Sequence, residues 1–419
     1  MQRCFVLLAL ALLVGGCSSI VPNKKVIRFS NWGGASDGGE YAETFRGVIA
    51  EFERQNPGVE VQMEGIPGSQ DYVRKTLLSY SAGAEPDVLT LDASSAAVFI
   101  NNGVLQDLTP QCSKDSEFKI DDFYPNVVDI ARREDRLYAI PLDFNPMVMM
   151  CNRKLFRDAG VEMPPDNWTT AQFLETAKKL TNGKVYGFKF MNWMPGWIMW
   201  MWNRGGDVLN PEGTQAKGTL DSPQNEATIQ FLADLTQKHK VAPSLSEAAA
   251  AGVDSFLNGT AAMEVIGHWG IVGYKAAKEI KMEDIWVMPL PSDTGQSQTV
   301  VYEAGLGIGK HCKQPELAWK FIKYMTSYDV QVKLTKTGNA ICARRDVSAD
   351  KANDELEKRF LKIIPTGRVP WGAKVEGYDY VENEGQKMLD NILKAGQTPK
   401  EALRQMAENV DRHFAEMKE

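Results

Sequence analysis

Aromatic rings are concentrated in one stretch of this 419-residue chain. Between Met191 and Trp202, four tryptophans fall within ten residues. Trp193, Trp197 and Trp200 share the i, i+4, i+7 spacing of one helix face, so a helix packed against a core would also explain them. Tryptophan is large and rigid, and its ring stacks well on the apolar C–H face of a pyranose. We therefore expect one or two of the four to line a cleft and the others to pack.

Carboxylates form the second group of candidate side chains. Asp92 ends a short apolar run, Val88 to Leu91, that is typical of a buried strand. Ligands of layered α/β sheets bind at the carboxyl ends of strands, where Asp92 and the loop residue Trp32 are expected. Asp92 could equally cap a helix over Ala93 to Ile100, and the two roles are compatible.

Signatures of catalysis do not assemble in this sequence. No G-x-S-x-G elbow, phosphate loop or dinucleotide fingerprint occurs in a credible context. The four histidines lack the spacing of metal ligands, so neither a metal nor another cofactor is expected. We expect a binding protein rather than an enzyme. Because paired carboxylates cannot be recognised from spacing, a secreted glycosidase stays open as an alternative.

Length and composition limit the architecture and the partners. A chain of 419 residues exceeds the usual size of one hydrophobic core, so two domains are expected. Hydrophobic residues make up 43% and charged residues 24%, the balance of a soluble globular protein. The net charge of −7 and the absence of a basic block argue against nucleic acid or an anionic membrane surface as a partner.

The N-terminus is typical of an export signal. Arg3 precedes an apolar run, Phe5 to Val14, that is too short to span a bilayer. Val14-Gly15-Gly16-Cys17 resembles a bacterial lipobox, so we expect residues 1–16 to be a signal peptide and Cys17 to carry the lipid, such as palmitate. A plain secretory peptide is the alternative. Residues 17–24 would form a tether that anchors the exported protein in the periplasm or at the cell surface.

The first elements after the tether alternate in type. Val26 to Phe29 is a predicted strand, Phe45 to Phe52 has helical spacing, and Val59 to Met63 alternates as a second strand. This order predicts a parallel pair in a layered α/β sheet.

The stretch from Asp254 to Tyr274 carries a recognisable pattern. We expect the end of a helix at Asp254 to Leu257, a buried strand at Ala261 to Ile266, and then a turn broken by three glycines. The pattern F-x-x-G-x-A-A-M-x-x-x-G-x-W resembles the signature of extracellular solute-binding protein family 1. These are sugar-type receptors of ATP-binding-cassette (ABC) importers, similar to maltose-binding protein. The matching residues are Phe256, Gly259, Ala261, Ala262, Met263, Gly267 and Trp269.

Further motifs extend the resemblance over nearly the whole mature chain. P-D-V-x-x-x-D runs from Pro86 to Asp92, and G-x-L-x-D-L from Gly103 to Leu108. Trp168-Thr169 is a typical helix start of the family, and the segment Leu220 to Pro223 matches its L-D-S-P loop. We expect Asp221 or Ser222 to cap the helix that follows this loop, with Pro223 in its first turn.

The resemblance implies an α/β, two-lobe periplasmic-binding-protein fold (type II) with three hinge crossings. Lobe one is expected at 24–141 and 264–336, and lobe two at 142–263 and 337–419. A monomer would capture a mono- or oligosaccharide by hinge closure and deliver it to the transmembrane subunits of an ABC permease. Apart from the lipid anchor, no membrane contact is expected.

The expected ligand site combines aromatic, polar and glycine positions. Its carboxylates favour a neutral polyol, whereas Arg368 keeps glycerol phosphate or another small polar solute open. The expected ligand-binding residues are Trp32, Gly33, Tyr72, Asp92, Asp143, Asn145, Trp193, Trp197, Trp269, Glu303, Gly305, Arg368 and Trp371.

The sequence departs from the family pattern at two sites. Cys151-Asn152 replaces the usual Tyr-Asn, and Ala304-Gly305 replaces Gly-Gly. Since the expected compartment permits disulfides, the lobe assignment suggests the pairs Cys112–Cys312 and Cys151–Cys342.

Overall fold

The computed structural model describes residues 24–31, 39–66, 68–93, 95–350 and 354–418 as a mixed α/β fold. Cys17, Trp32 and Gly33 lie outside the described residues, and so do the predicted signal peptide and nearly all of the tether. In the described part of the chain, no helix is both long and apolar enough to cross a bilayer.

The secondary structure alternates strands and helices along most of the chain. The strands are β1 (Lys25–Asn31), β2 (Val59–Gly65), β3 (Val88–Asp92), β4 (Arg132–Arg133), β5 (Arg136–Leu137), β6 (Ile140–Pro146), β7 (Val148–Asn152), β8 (Met263–Ile266), β9 (Ile285–Met288), β10 (Thr299–Ile308), β11 (Ile341–Cys342) and β12 (Gly367–Arg368). The helices are α1 (Glu40–Gln55), α2 (Ser69–Ser81), α3 (Ala96–Asn101), α4 (Thr109–Lys114), α5 (Pro125–Val128), α6 (Arg153–Asp158), α7 (Thr170–Leu180), α8 (Met194–Asn203), α9 (Pro223–Gln237), α10 (Leu245–Ala251), α11 (Gly270–Ala276), α12 (Pro315–Met325), α13 (Tyr328–Lys336), α14 (Arg345–Asp350), α15 (Glu355–Ile363), α16 (Tyr378–Ala395) and α17 (Pro399–Glu416). Short 3₁₀ turns lie at Ile120–Asp122, Asp129–Ala131, Met282–Asp284, Ile364–Thr366 and Trp371–Ala373.

The larger sheet has the strand order β11-β6-β10-β3-β1-β2, with β12 paired to the start of β10. β1 runs parallel to β2 and β3, which confirms the parallel pair predicted from the strand–helix–strand order. β10 comes from much later in the chain and pairs antiparallel with β3 and β6. Ala304 of β10 therefore lies opposite Asp92 on one side and Asp143 on the other. Two predicted ligand carboxylates thus occupy the two strands that flank β10.

The smaller sheet has the order β8-β7-β9, with both pairings antiparallel. Met147 alone separates β6 of the larger sheet from β7 of the smaller one. Its backbone N–H donates to the carbonyl of Val300 at 3.1 Å. The chain therefore passes from one sheet to the other as nearly continuous extended backbone.

Strand pairing divides the chain differently from the expected lobe boundaries. β9 lies inside 264–336, which was expected in lobe one, but it hydrogen-bonds to β7 of the smaller sheet. β11 lies inside 337–419, which was expected in lobe two, but it hydrogen-bonds to β6 of the larger sheet. The expected boundaries followed chain order, whereas backbone hydrogen bonding places each strand beside a partner that is distant in sequence.

The buried hydrophobic residues form two clusters, in agreement with the two domains expected from the chain length. The first cluster surrounds the larger sheet, and the smaller sheet contributes to both, with Val148 and Met150 in the first and Met149 and Cys151 in the second.

In the first cluster, the ring of Phe321 packs edge-on against Phe29 and Phe52, at centroid distances of 5.6 and 5.1 Å. In the second cluster, Phe173 packs edge-on against Trp168 and Trp200. Burying these large rings removes much apolar area from water, which is the main favourable contribution to folding.

Two helices begin where the sequence predicts. The Thr169 hydroxyl accepts from the backbone N–H of Gln172, and the Gln172 side-chain oxygen accepts from the backbone N–H of Thr169, so α7 starts with a capping box. The Ser222 hydroxyl caps α9, and Pro223 occupies its first turn.

The stretch 254–274 differs from its prediction at two points. Asp254 does not lie in a helix, since α10 ends at Ala251 with Gly252 as its C-cap, and the Asp254 carboxylate accepts from the N–H groups of Phe256 and Leu257. Such side-chain hydrogen bonds compete with the helical ladder and favour a turn. Gly270 and Gly273 lie inside α11 rather than breaking the chain. A Cβ at Gly270 would meet the Tyr274 hydroxyl at 2.9 Å, so glycine leaves room for this ring.

The four described cysteines are free thiols, so the disulfides suggested by the sequence are not formed. Cys151 is buried in the second hydrophobic cluster, whereas Cys342 lies on β11 of the larger sheet. Cys112 lies on α4, while Cys312 follows β10 and interacts with Asp87. Shared lobe membership was too coarse a criterion to pair thiols.

A buried ion-pair network holds β8 in place. The Glu264 carboxylate accepts from the Lys189 ammonium at 2.7 Å and from the Tyr274 hydroxyl at 2.8 Å. Burial raises the pKa of Glu264, and the charge and hydrogen bond of Lys189 oppose that rise. Lys189 also pairs with Asp254, so one ammonium ties β8 to the preceding turn.

Lys189→Met should destabilise the protein strongly, since it leaves the buried Glu264 carboxylate without its ion-pair partner. We expect the free energy of unfolding to fall by about 3 kcal/mol in urea denaturation. Lys178→Met, which removes an exposed ion pair with Glu175, is the control and should change it by less than about 0.5 kcal/mol. Similar losses in the two variants would contradict this account of the network.

Candidate functional site

A cleft of about 460 Å³ lies between elements of the two sheets. On the side of the larger sheet, Gly68 and Asp71 contribute from the start of α2. The opposite wall comes from the start of α8 and from one face of α16. The residues on that wall are Trp193, Pro195, Glu382, Asn383 and Gln386.

Three aromatic rings meet beside this cleft. Trp193 packs edge-on against Trp269, with ring centroids 6.4 Å apart and an interplanar angle of 75°. Tyr302 lies 6.4 Å from Trp193 on another side, with its plane tilted by 34°, and its hydroxyl donates to the carbonyl of Pro195 at 3.3 Å. The structure thus brings together two predicted ligand residues and adds Tyr302, which was not predicted.

The other tryptophans of the stretch 191–202 pack in the core. Trp197, Trp200 and Trp202 are each at most 2% exposed. α8 is apolar on every side and buried, so only its first turn reaches the cleft. One of the four tryptophans, Trp193, lines the cleft, in agreement with the expected one or two. The buried position of Trp197 does not support its predicted role as a ligand residue.

Trp269 is held against Gly267. A Cβ at Gly267 would lie 2.1 Å from the Trp269 ring, so only glycine leaves room for the indole in this position. Gly267 follows β8 directly, which places the Trp269 ring at the end of the smaller sheet. The glycine of the sequence signature therefore has a steric role.

Asp143 and Asp92 lie on the strands that flank β10. The Tyr41 hydroxyl lies 3.4 Å from the Asp143 carboxylate, and burial raises the pKa of Asp143 to about 7 despite this hydrogen bond. The Asp92 carboxylate accepts from the Ser95 N–H at 2.6 Å. Asp92 thus satisfies backbone before α3, which is close to the capping role that the sequence left open beside ligand contact.

Glu303 is the most unusual carboxylate of the site. It is 3% exposed, and neither of its carboxylate oxygens has a hydrogen-bond partner among the described residues. Burial raises its pKa well above the ordinary range; Asp92 and Asp143 add to the rise, and Arg133 opposes it. A Cβ at Gly305 would lie 2.5 Å from a Glu303 oxygen, so Gly305 makes room for the side chain of Glu303.

Glu382 was missed by the sequence prediction. It lies on α16, lines the cleft and forms no hydrogen bond or ion pair with the described residues. Burial raises its pKa to about 8, with further contributions from Asp92 and Asp379. Periodicity identified the helix, but no sequence signal indicated which of its turns faces Asp92.

Tyr72 does not face the cleft. Its ring is buried, and its hydroxyl lies 2.8 Å from the carbonyl of Thr90 and 3.2 Å from that of Ser30. These bonds tie α2 to β1 and β3. The structure therefore gives Tyr72 a scaffolding position rather than the ligand contact expected from the sequence.

Arg368 forms an ion pair with Asp207. Its guanidinium donates to Asp207 at 2.7 Å and stacks 4.1 Å from the Trp202 ring. The Trp371 indole N–H donates to the other oxygen of Asp207 at 2.8 Å. Trp371 still borders a small cavity that it shares with Glu382, but Arg368 serves packing rather than an anion site.

Asn145 lies opposite Tyr302 in the pairing of β6 with β10, and its buried side-chain oxygen has no partner among the described residues. The described residues contain no group of three or more His, Cys, Asp or Glu side chains that could hold a metal ion.

A family model described as bacterial extracellular solute-binding protein matches residues 35–332. A Brucella abortus protein, named only as a binding protein, is 22% identical over 381 residues, which cover 88% of this chain and 89% of that one. The multiple sugar-binding protein of Streptococcus mutans is 24% identical over 341 residues, covering 74% of each chain.

A solved structure shows the same architecture. An ABC substrate-binding protein from Listeria monocytogenes, in complex with cycloalternan, superposes with a TM-score of 0.80 at 23% identity. The match covers 94% of this chain and 99% of that one. It confirms the predicted α/β, two-lobe periplasmic-binding fold.

The raised pKa values of Asp143 and Glu382 predict a stability that declines in mild alkali. Their pKa values in the folded state, about 7 and about 8, exceed those of unfolded carboxylates. Their stabilising contribution is therefore complete below about pH 4 and is lost as pH rises through 7 and 8.

A double variant, Asp143→Asn with Glu382→Gln, should flatten the fall in the thermal midpoint between roughly pH 5 and 9. Differential scanning fluorimetry over a pH series measures this slope. Glu401→Gln, an exposed carboxylate on α17, is the matched control and should keep the slope of the parent. A double variant as pH-sensitive as the parent would show that these two groups do not titrate as described.

Proposed function

The chain belongs to the bacterial extracellular solute-binding protein family, and from this premise we propose that it captures a carbohydrate outside the cytoplasm and delivers it to the permease of an ABC importer. The family is one of binding proteins, and no catalytic role is proposed for the cleft. The observation that carries the proposal is the cleft between the two sheets, which combines the Trp193 ring with the Glu382 carboxylate, a group without a hydrogen-bond or ion-pair partner among the described residues.

The size and chemistry of the cleft suit a sugar. Its volume of about 460 Å³ falls in the range of small-molecule sites, about 300–1,000 Å³. Trp193 and Trp269 offer apolar faces for stacking on C–H groups. The Glu382 carboxylate, which lines the cleft and has no hydrogen-bond partner among the described residues, can accept hydrogen bonds from hydroxyl groups.

The relatives point to the same ligand class. One is named a multiple sugar-binding protein, and the Listeria monocytogenes structure holds cycloalternan, a carbohydrate. A phosphorylated ligand has less support, because Arg368 is already paired with Asp207 and no described residue lining the cleft is Lys or Arg.

We place the ligand between two lobes that close on it. Lobe one would carry the larger sheet and lobe two the smaller one, with the single-residue crossing at Met147 as one hinge segment. The residues proposed to contact or shape the ligand site are Asp92, Asp143, Asn145, Trp193, Trp269, Tyr302, Glu303, Gly305, Trp371 and Glu382.

Attachment to a membrane through a lipid on Cys17 is part of the proposal, as is function as a monomer. The lipobox-like sequence before Cys17 and the extracellular assignment of the family support the anchor. Labelling of cells with a radioactive fatty acid, compared between the parent and Cys17→Ala, would test it. Equal labelling of the two would overturn the anchor.

Trp193→Ala should weaken sugar binding without unfolding the protein, since the ring borders the cleft rather than a core centre. We expect a loss of about 2 kcal/mol, roughly thirtyfold in Kd, by isothermal titration calorimetry with mono- and oligosaccharides. Tyr328→Ala, which removes an exposed ring on α13, is the control and should bind like the parent. Equal affinities of Trp193→Ala and the parent would contradict the placement of the ligand.

The same titrations separate binding from catalysis. Chromatography of the sugar after prolonged incubation should recover it unchanged. Cleaved product that accumulates with time would favour a glycosidase, and the absence of binding to any carbohydrate in a broad panel would overturn the proposed ligand class.

A further inference from the structure

Carboxylates from the two sheets interact electrostatically near the cleft. Glu382, on α16, lines the cleft, whereas Asp92, Asp143 and Glu303 come from strands of the larger sheet and are not among the residues that line it. They are near enough that Asp92 raises the pKa of both Glu303 and Glu382. Asp71, which also lines the cleft, is already paired with Arg74.

The cations near these carboxylates are few, and they have other partners. The Arg133 guanidinium is the one that lowers the pKa of Glu303, and it donates to the carbonyls of Ile130, Arg132 and Ala373. Arg368 donates to Asp207 and to Gln298. Among the described residues, Arg133 therefore lowers the pKa of Glu303, and no cation lowers the pKa of Asp143 or Glu382.

Two of these carboxylates lack any polar partner in the described part of the chain. Glu303 is almost fully buried with both oxygens unsatisfied, and Glu382 lines the open cleft. Closing two lobes on such groups is unfavourable unless something with positive charge or hydrogen-bond donors lies between them. A neutral polyol supplies hydrogen-bond donors but no charge, whereas an ammonium group supplies three donors and a positive charge.

The aromatic wall is suited to the same group. Trp193 lines the cleft together with Glu382, and Trp269 and Tyr302 pack around its ring. The face of an indole attracts a cation, most strongly where the site excludes water. A carboxylate and a tryptophan on one wall therefore form a site for an amine.

Resting on the carbohydrate-binding function proposed above, we propose that the ligand is an amino sugar in its protonated form. Its ammonium group lies between the Glu382 carboxylate and the Trp193 ring, on the side that faces Asp92 and Glu303. The sugar ring occupies the rest of the cleft. The charge of the ligand thus offsets the repulsion that opposes ionisation of these carboxyl groups.

Calorimetry with matched probes tests this inference. D-Glucosamine, D-galactosamine and the β-1,4-linked glucosamine disaccharide are each compared with the neutral and the N-acetylated counterpart. At roughly pH 7, below the ~8 pKa of an α-amino group, at least one amine should bind about tenfold or more tightly than both counterparts. The binding of this amine should release protons, because a cation favours the ionised form of the carboxyl groups. Comparing the binding enthalpy in two buffers of different ionisation enthalpy measures this release.

Substitutions of single carboxylates show which groups produce the preference for the amine. Glu382→Gln should reduce the preference for the amine to about threefold or less, and Glu303→Gln should reduce it as well. Glu401→Gln removes an exposed charge on α17 that does not line the cleft and should retain the preference. Thermal midpoints of all three variants near that of the parent would show that folding is preserved.

The outcomes separate this inference from the proposed function. Neutral or N-acetylated sugars that bind as tightly as the amines would overturn the amino-sugar inference and leave the carbohydrate receptor standing. A preference for the amine that survives both Glu382→Gln and Glu303→Gln would overturn the placement of the ammonium. Absence of binding by every sugar, charged or neutral, would overturn the proposed function and the inference together.

Discussion

Backbone hydrogen bonding across two sheets is the constraint on which the rest of this structure depends. β6 and β7 are one extended segment interrupted only by Met147, so a single run of chain contributes a strand to each sheet. β10 then fits between β3 and β6 and fixes Asp92 and Asp143 on either side of Ala304. The carboxylates of one wall are therefore placed by strand register, which is far stiffer than a loop.

The site contains buried groups that reduce the stability of the fold. Burial without ion-pair partners raises the pKa values of Glu303 and Glu382, and glycine replaces a side chain wherever one would block Glu303 or Trp269. Groups of this kind are expensive in a core and useful at a site, because a ligand can satisfy them. The network of Lys189 with Glu264 and Asp254 shows that the same chain satisfies buried charge where no ligand is needed.

The fold was more predictable than the site. Local patterns identified the parallel pair of β1 and β2 and the capped starts of α7 and α9, because periodicity and capping are local properties. They could not assign β9 and β11 to sheets, since pairing joins residues that are distant in sequence. Among candidate ligand residues, Trp193 was found through its type, whereas Glu382 lies on an ordinary amphipathic helix and is distinguished only by its distant neighbours.

Small-angle X-ray scattering with and without a saturating sugar tests the central claim, capture of a carbohydrate by closure of two lobes, most directly. The sugar is first shown by calorimetry to occupy the protein fully. If the lobes close on it, the radius of gyration should fall and the distribution of interatomic distances should narrow. A scattering profile that is unchanged at proven saturation would contradict capture by closure.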